Sequence, residues 1–164
     1  MFYKLKTKLL LIAALFLVFL GVKLFVNSSL WQTDVSFNLY FINNELSVDN
    51  LDCTEVFPVS REELLPPHTN RQLLVINSLI KGLTETEKDS GYSSLIDPET
   101  KVNSVAVDNE IIIVDLSEAL ENNSGGSCRA EAIRSQIENT LKQFEGIEKV
   151  VISVNADFDN ILQP

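Results

Sequence analysis

The stretch of sequence that decides the fold reads Val102-Asn-Ser-Val-Ala-Val-Asp-Asn-Glu-Ile-Ile-Ile-Val-Asp-Leu116. Two runs rich in β-branched residues flank Asp108-Asn109, a pair that favours a tight turn because asparagine tolerates a positive φ. The pattern predicts a β-hairpin. Its second strand carries four consecutive apolar residues, Ile111 to Val114, which predicts burial on both faces.

On the N-terminal side of this hairpin we expect two strands and a helix. Residues 35–42 and 54–60 alternate apolar and polar side chains, as strands with one buried face do. Pro58 has no backbone N–H to donate, so the second strand is expected at a sheet edge. The helix carries an apolar stripe from Leu73 to Ile80, between a cap at Asn70 and a terminator at Gly82. Residues 84–94 are predicted to form a polar, mobile loop.

On the C-terminal side we expect a second helix and a last strand. A Gly/Asn/Ser loop ends at Ser127, which is predicted to cap a helix with apolar residues from Ala130 to Phe144. Residues 150–154 are the last predicted strand. The order β-β-α-β-β-α-β predicts an α/β fold, namely an α+β two-layer sandwich with one mixed β-sheet and two helices.

The N-terminus predicts a transmembrane helix. Residues 9–22 are an unbroken apolar run that continues past Lys23 to residue 26. At about 1.5 Å per residue it spans roughly 27 Å, close to a hydrocarbon core of about 30 Å. Lysines at positions 4, 6 and 8 precede the run and, by the positive-inside rule, keep residues 1–8 in the cytoplasm.

These features divide the chain into four parts. Residues 1–8 are a basic cytoplasmic N-terminus, residues 9–26 a signal anchor, residues 27–33 a tether, and residues 34–164 an extracytoplasmic domain. A cleaved signal peptide is the alternative, but the sequence after the run offers no pair of small residues for cleavage. We therefore expect a single-pass protein of the cytoplasmic membrane.

The charge is unevenly distributed. The chain has 23 acidic and 13 basic residues, a net charge of −10. Four of the lysines precede Asp34, the first acid, so nine bases face 23 acids in the rest, a formal charge of −14. Such a surface repels nucleic-acid phosphates and anionic headgroups. Solubility alone is the simplest explanation of this charge, and attraction of a basic partner is the alternative.

The two cysteines, Cys53 and Cys128, both lie in the part predicted to be exported. An oxidising compartment favours a disulfide. Such a bond would close a loop of about 75 residues and contribute about 4 kcal/mol by limiting the entropy of the unfolded chain. Two buried free thiols or a metal site are the alternatives. A metal site is disfavoured because His68 is the only histidine.

The sequence offers no convincing catalytic set. His68, next to two prolines, is a turn or helix-start residue, and a Cys128–His68 pair would consume a cysteine of the disulfide. The carboxylates most closely grouped in sequence are better explained as turn, strand-end and cap residues: Asp108, Glu110, Asp115 and Glu118. The run Asp157-Phe-Asp-Asn160 lacks the glycine and distant glutamate of an EF-hand. We expect neither an enzyme nor a bound cofactor or metal.

Several short segments, spread over most of the chain, are informative in combination: Asn38-Leu-Tyr-Phe41, Leu79 to Gly82, Glu87 and Gly91, Ile96-Asp-Pro-Glu-Thr100, Asp108-Asn109, Val114-Asp-Leu-Ser117, the helix from Ile137 to Phe144, and Leu162-Gln-Pro164. Together they resemble the GerMN domain, named for bacterial sporulation and germination proteins. The family has Ile-Pro-x-Gly-Thr where this chain has Ile96-Asp-Pro-Glu-Thr100, so Glu99 replaces the usual glycine and Asp97 is inserted before the proline. The resemblance covers residues 35–164. It implies a fold, an extracytoplasmic location and a role in protein assembly, but no reaction.

We therefore predict a non-catalytic protein-interaction or assembly module in the cell envelope. Its partner contacts are predicted in the polar loop, at Glu85, Glu87, Asp89 and Tyr92, where the three acids would prefer a basic partner. The alternative is a module that binds cell-wall glycan or a small ligand, for which Tyr92 is the candidate aromatic. Two or three coplanar aromatic side chains on the surface would favour the ligand-binding alternative. A strand edge without a neighbouring strand would favour the protein-interaction module.

Overall fold

The computed structural model describes residues 12, 15–18, 33–47, 52–122 and 125–162. The chain divides into two compact units, Met1–Thr33 and Asp34–Pro164, and the second contains the predicted α/β domain. Of the predicted signal anchor at residues 9–26, only residues 12 and 15–18 are described, and of the tether at residues 27–33 only residue 33; the rest lies outside the described residues. Within the described residues, no helix has both the length and the apolar character needed to cross a membrane.

From residue 33 onward, the part of the chain that the structure describes contains six strands, three α-helices and one 3₁₀-helix. The strands are β1 (Thr33–Asn43), β2 (Phe57–Leu65), β3 (Tyr92–Ser93), β4 (Val102–Asp108), β5 (Ile111–Leu116) and β6 (Lys149–Val154). The helices are α1 (Arg71–Lys81), α2 (Glu85–Asp89) and α3 (Ser127–Lys142), and the 3₁₀-helix is Glu118–Glu121. The mixed α/β composition is as predicted, with α2 and β3 in place of part of the expected loop.

The strands form two sheets, where the sequence predicted one. The first sheet has the order β2-β1-β3 and the second the order β4-β5-β6. In the second, β4 and β5 pair antiparallel as the predicted hairpin, and β6 joins β5 in parallel. The prediction of a single mixed sheet is therefore wrong.

Side chains from the end of α3 explain why the first sheet ends where it does. β3 pairs with β1 only at Ile42 and Asn43. Nearer the N-terminal end of the same strand, the N–H of Asn38 donates to Gln143 Oε1 at 2.8 Å, and Gln143 Nε2 donates to the carbonyl of Asn38 at 2.7 Å. The N–H of Tyr40 donates to Thr140 Oγ1 at 3.0 Å. These side chains satisfy backbone groups of β1 that a neighbouring strand would otherwise satisfy.

The hairpin strand β5 is buried mainly on one face. Ile112, Val114 and Leu116 are fully buried, whereas Ile111 and Ile113 are half-buried. The prediction of burial on both faces is wrong, because the side chains alternate between a core face and a second, partly accessible face. The hairpin turn itself is as predicted, with Asn109 at φ 52°.

Helices α1 and α3 close a single apolar core shared with both sheets. α1 begins as predicted, since Asn70 accepts a hydrogen bond from the N–H of Leu73, and it ends at Gly82, whose φ is 84°. α3 differs from prediction at its start. Ser127 is its first helical residue, and Gly126 precedes it as a cap without a side-chain hydrogen bond.

Candidate functional site

The segment from residue 84 to residue 94, predicted to be a mobile loop, contains a short helix and a short strand in the structure. It starts with a capping box, in which the Thr84 hydroxyl accepts from the N–H of Glu87 at 3.4 Å and the Glu87 carboxylate accepts from the N–H of Thr84 at 2.8 Å. β3 follows and pairs with the end of β1. The prediction of a mobile loop is therefore wrong, because a reciprocal cap and a strand pairing order the segment without a partner.

Glu87, one of the predicted partner contacts, anchors this segment to β2. Both terminal nitrogens of Arg61 donate to its carboxylate, Nη2 to Oε2 at 2.6 Å and Nη1 to Oε1. The two side chains are only 17% and 15% exposed. The hydrogen bonds from Arg61 lower the pKa of Glu87 to about 2, against the opposing effect of burial. Glu87 is thus engaged within the fold.

Tyr92 is also tied to the fold. Its side chain is half-buried and packs against the apolar core. The turn before it is held by Asn43, which is 2% exposed and donates from Nδ2 to the carbonyl of Ser90 at 3.0 Å. Gly91 has a φ of 82°, and a Cβ there would lie 3.1 Å from the Glu45 side chain. Tyr92 therefore offers only part of its surface to a ligand.

The two remaining predicted contacts, Glu85 and Asp89, are exposed on α2. Glu85 is 86% exposed and accepts a hydrogen bond from Lys88 Nζ at 2.8 Å. The four residues named from the sequence thus lie on one short segment, but two are available at the surface and two are partly engaged in the fold. Their role in partner contact stays a prediction.

The margins of the two sheets present backbone edges of different character. β2 lies at the edge of its sheet, which confirms the prediction from Pro58. It also carries Arg61, Glu62 and Glu63, and prolines and charges are the features that discourage pairing with another chain. β4 lies at the edge of the second sheet and has neither proline nor charge before Asp108.

The structure joins Cys53 to Cys128 in a disulfide, with the Cα atoms 5.1 Å apart and 75 residues between the cysteines in sequence. The predicted pairing is confirmed. A second contact holds the same loop to α3, since the Ser135 hydroxyl donates to the carbonyl of Thr54 at 2.5 Å. The disulfide consumes the thiol of Cys128, so the alternatives of free thiols and of a catalytic Cys–His pair are wrong.

The residues considered for catalysis lie in turns and near the ends of strands and helices. His68 lies exposed in a turn with φ 62°. Asp108 and Glu110 stand at the hairpin turn. Asp115 lies near the other end of β5, four residues beyond Ile111, the partner of Asp108, which is about 13 Å at roughly 3.3 Å per residue. Glu118 opens the 3₁₀-helix. The hairpin acids and Asp115 therefore do not form a close carboxylate pair.

Asp115 instead organises the end of the second sheet. It accepts hydrogen bonds from the Ser153 hydroxyl at 2.6 Å, from the N–H of Ala156 at 2.8 Å and from Asn103 Nδ2 at 3.0 Å. Burial alone raises the pKa of Asp115, but these hydrogen bonds outweigh it and leave the pKa below its usual value. The carboxylate therefore remains charged and holds the chain reversal after β6.

The run from Asp157 to Asn160 is a polar turn. Asp157 accepts from the N–H of Asp159 at 2.9 Å and from the N–H of Asn160 at 3.3 Å, which lowers the pKa of Asp157. In the parts of the chain that the structure describes, no group of three or more His, Cys, Asp and Glu side chains is arranged to hold a metal ion.

Comparison with known proteins identifies the fold. Residues 38–156 match the family model Germane, described as sporulation and spore germination. The tandem GerMN domains of the sporulation protein GerM from Bacillus subtilis are similar in structure, with a TM-score of 0.56 and 22% identity over 80% of this chain. The first GerMN domain of that protein matches 76% of this chain, with a TM-score of 0.50 and 21% identity. No curated protein matches.

The family match spans most of this chain, and the chain therefore belongs to the Germane family of GerMN-type domains. The chain spans 43% of the length of the tandem GerM structure and 85% of the single GerMN domain. The family resemblance read from the sequence is thus confirmed.

Proposed function

We propose that this chain is a membrane-anchored, extracytoplasmic member of the family that acts as a non-catalytic protein-interaction or assembly module in the cell envelope. The N-terminal apolar run with its basic flank supports the anchor and the orientation. The disulfide supports an oxidising compartment.

The observation that carries the interaction role is the outer edge of β4. Within the described residues, β4 has β5 as its one hydrogen-bonded neighbour. Its register shifts between Val102 and Ser104, and residues 104–108 pair regularly with residues 111–115. Ala106 is exposed and Val107 is 48% exposed. An exposed edge without proline or internal charge is a template on which an extended segment of another protein can add a strand.

The glycan-binding alternative has less support. A sugar platform needs aromatic rings with open faces. Tyr92 is half-buried, and among the described large apolar side chains the exposed aromatic one is Phe158, at 52%. We find no cluster of exposed rings in the described part of the chain.

Site-specific crosslinking tests the proposed function. A photo-reactive phenylalanine analogue is introduced at Val107 of the full chain in native membranes, and separately at Leu64 on β2, which is similarly exposed at 51%. We expect one defined protein adduct from position 107, lost when Ala106 is also replaced by lysine, and a much weaker adduct from position 64. The absence of any protein adduct at position 107 would contradict the interaction role of this edge.

A further inference from the structure

An open cleft of about 450 Å³ lies where the end of α1 meets the segment that follows β3. This volume is within the range of small-ligand and side-chain pockets. Among the residues that line it are Lys81, Leu83, Lys88, Tyr92, Ile96 and Pro98. Leu83, Tyr92 and Ile96 belong to the core or pack against it, so the apolar part of the cleft is held by the fold.

The charge of this cleft is opposite to that of the protein. The chain carries a net charge of −10, yet two lysines and no aspartate or glutamate line the cleft. A second cleft contains Glu99 and Glu118, and the cleft beside the disulfide contains Asp52 and Glu55. Of these three, the cleft at Tyr92 is the one that offers an anion a positive surface.

Both ammonium groups are accessible. Lys88 is 53% exposed, and its partner Glu85 is 86% exposed, so their pairing is a surface ion pair that adds little stability and is easily exchanged. Lys81 is exposed at the end of α1 and forms none of the ion pairs recorded for the described residues. The neighbouring carboxylate of Glu87 is already bonded to Arg61.

We infer that this cleft binds an acidic segment of the partner protein, with one apolar side chain against Tyr92 and Ile96 and flanking carboxylates on Lys81 and Lys88. This inference rests on the proposed interaction role and specifies the chemistry of the partner. From the sequence, the three acids of the same segment predicted a basic partner. The charge of the cleft favours an acidic one instead. A short segment fits better than an anionic membrane, because a broad surface would also meet the acidic remainder of the domain.

The test uses labelled peptides and the full chain in detergent. The probe is the capped peptide Asp-Glu-Leu-Phe-Glu-Asp, compared with Lys-Arg-Leu-Phe-Arg-Lys and with Asp-Glu-Ser-Ser-Glu-Asp. We expect the first to bind most tightly by fluorescence anisotropy, and its affinity to fall as salt rises from about 0.1 M to about 1 M, where the Debye length shrinks from about 10 Å to about 3 Å.

Charge reversal locates the site. The double variant Lys81→Glu with Lys88→Glu should weaken binding of the acidic apolar peptide by about ten-fold or more. Lys142→Glu is the matched control, because Lys142 is 42% exposed and also pairs with a glutamate on its own helix. It should leave the affinity within about two-fold, a difference well below the 1.4 kcal/mol of a ten-fold change. Circular dichroism checks that each variant is folded.

Three results would overturn the inference. The first is that the acidic peptide does not bind, whether or not vesicles with anionic lipid bind through the two lysines. The second is equal or tighter binding of the basic peptide, and the third is unchanged binding of the acidic peptide to the double variant. The crosslink at Val107 is independent of this cleft. If that crosslink persists while the acidic peptide fails to bind, the cleft inference fails and the proposed function stands.

Discussion

Replacement of Glu87 by glutamine should destabilise the domain through the loss of one ion pair. The change is selective, because glutamine can still serve as the last residue of the capping box that begins at Thr84. What it removes is the negative charge that faces the guanidinium of Arg61. The side chains of both partners are less than a fifth exposed, so solvent replaces the lost interaction only in part.

The magnitude follows from the pKa of Glu87, which falls from 4.5 to about 2. At about 1.4 kcal/mol per pKa unit, this shift sets an upper limit of about 3.5 kcal/mol. The pair lies near the surface, where solvent screens part of the interaction, so we expect about 1 to 2 kcal/mol. For a domain of this size, that corresponds to a decrease in Tm of about 4 to 8 °C.

The direction of the pKa shift of Glu87 determines how its contribution to stability changes with pH. The pKa of Glu87 is lower in the folded state, so its contribution is fully present above pH 4.5 and is lost as the pH falls towards about 2. The difference between the two proteins should therefore be largest at neutral pH and shrink in acid. Urea unfolding followed by far-ultraviolet circular dichroism, at neutral pH and near pH 3, measures it.

The matched control is Glu85→Gln, since Glu85 lies in the same helix and is 86% exposed. Its ion pair is with Lys88, which is itself 53% exposed. Its unfolding midpoint should equal that of the unsubstituted protein. Equal stability of the Glu87 variant and the parent at neutral pH would refute the reasoning, as would a difference that grows as the pH falls.

Three further changes test other parts of the fold. Serine at both Cys53 and Cys128 should lower the free energy of unfolding by about 4 kcal/mol, as the loop length predicts, in chemical denaturation. Gly91→Ala should destabilise by about 1 to 2 kcal/mol because of its positive φ and the close side chain, whereas Gly125→Ala, with open space around it, should not, as thermal melts would show. Gln143→Leu should cost about 1 to 3 kcal/mol because it leaves backbone groups of β1 unpaired, measured by the same unfolding assay.

Local patterns predicted the elements that local chemistry controls. The hairpin at Asp108-Asn109 and the helix between Asn70 and Gly82 both formed as expected, because turn and cap residues act within a few positions of themselves. The capping box at Thr84 and Glu87 also had a local signal, a threonine followed three residues later by a glutamate. That signal identifies α2, which the composition of the segment alone had suggested to be mobile.

The remaining features depend on contacts distant in sequence. The pairing of Arg61 with Glu87 spans 26 positions, and the contact of Gln143 with Asn38 spans 105. The spacing of apolar and polar residues along the chain does not indicate such pairs. Neither the division into two sheets nor the ion pair of Glu87 with Arg61 was therefore predictable. The lysines of the cleft were missed for the same reason, since α1 and α2 each contribute one.

The most direct test of the proposed function is the affinity of the crosslinked partner for two edge variants of the purified chain. Val107→Lys places a charge on the edge of β4, and Leu64→Lys places the same charge on β2 at a similarly exposed apolar position. If the partner adds a strand to β4, Val107→Lys should weaken binding by about ten-fold or more, and Leu64→Lys should have little effect. Equal affinities of Val107→Lys and the unsubstituted chain would contradict the account.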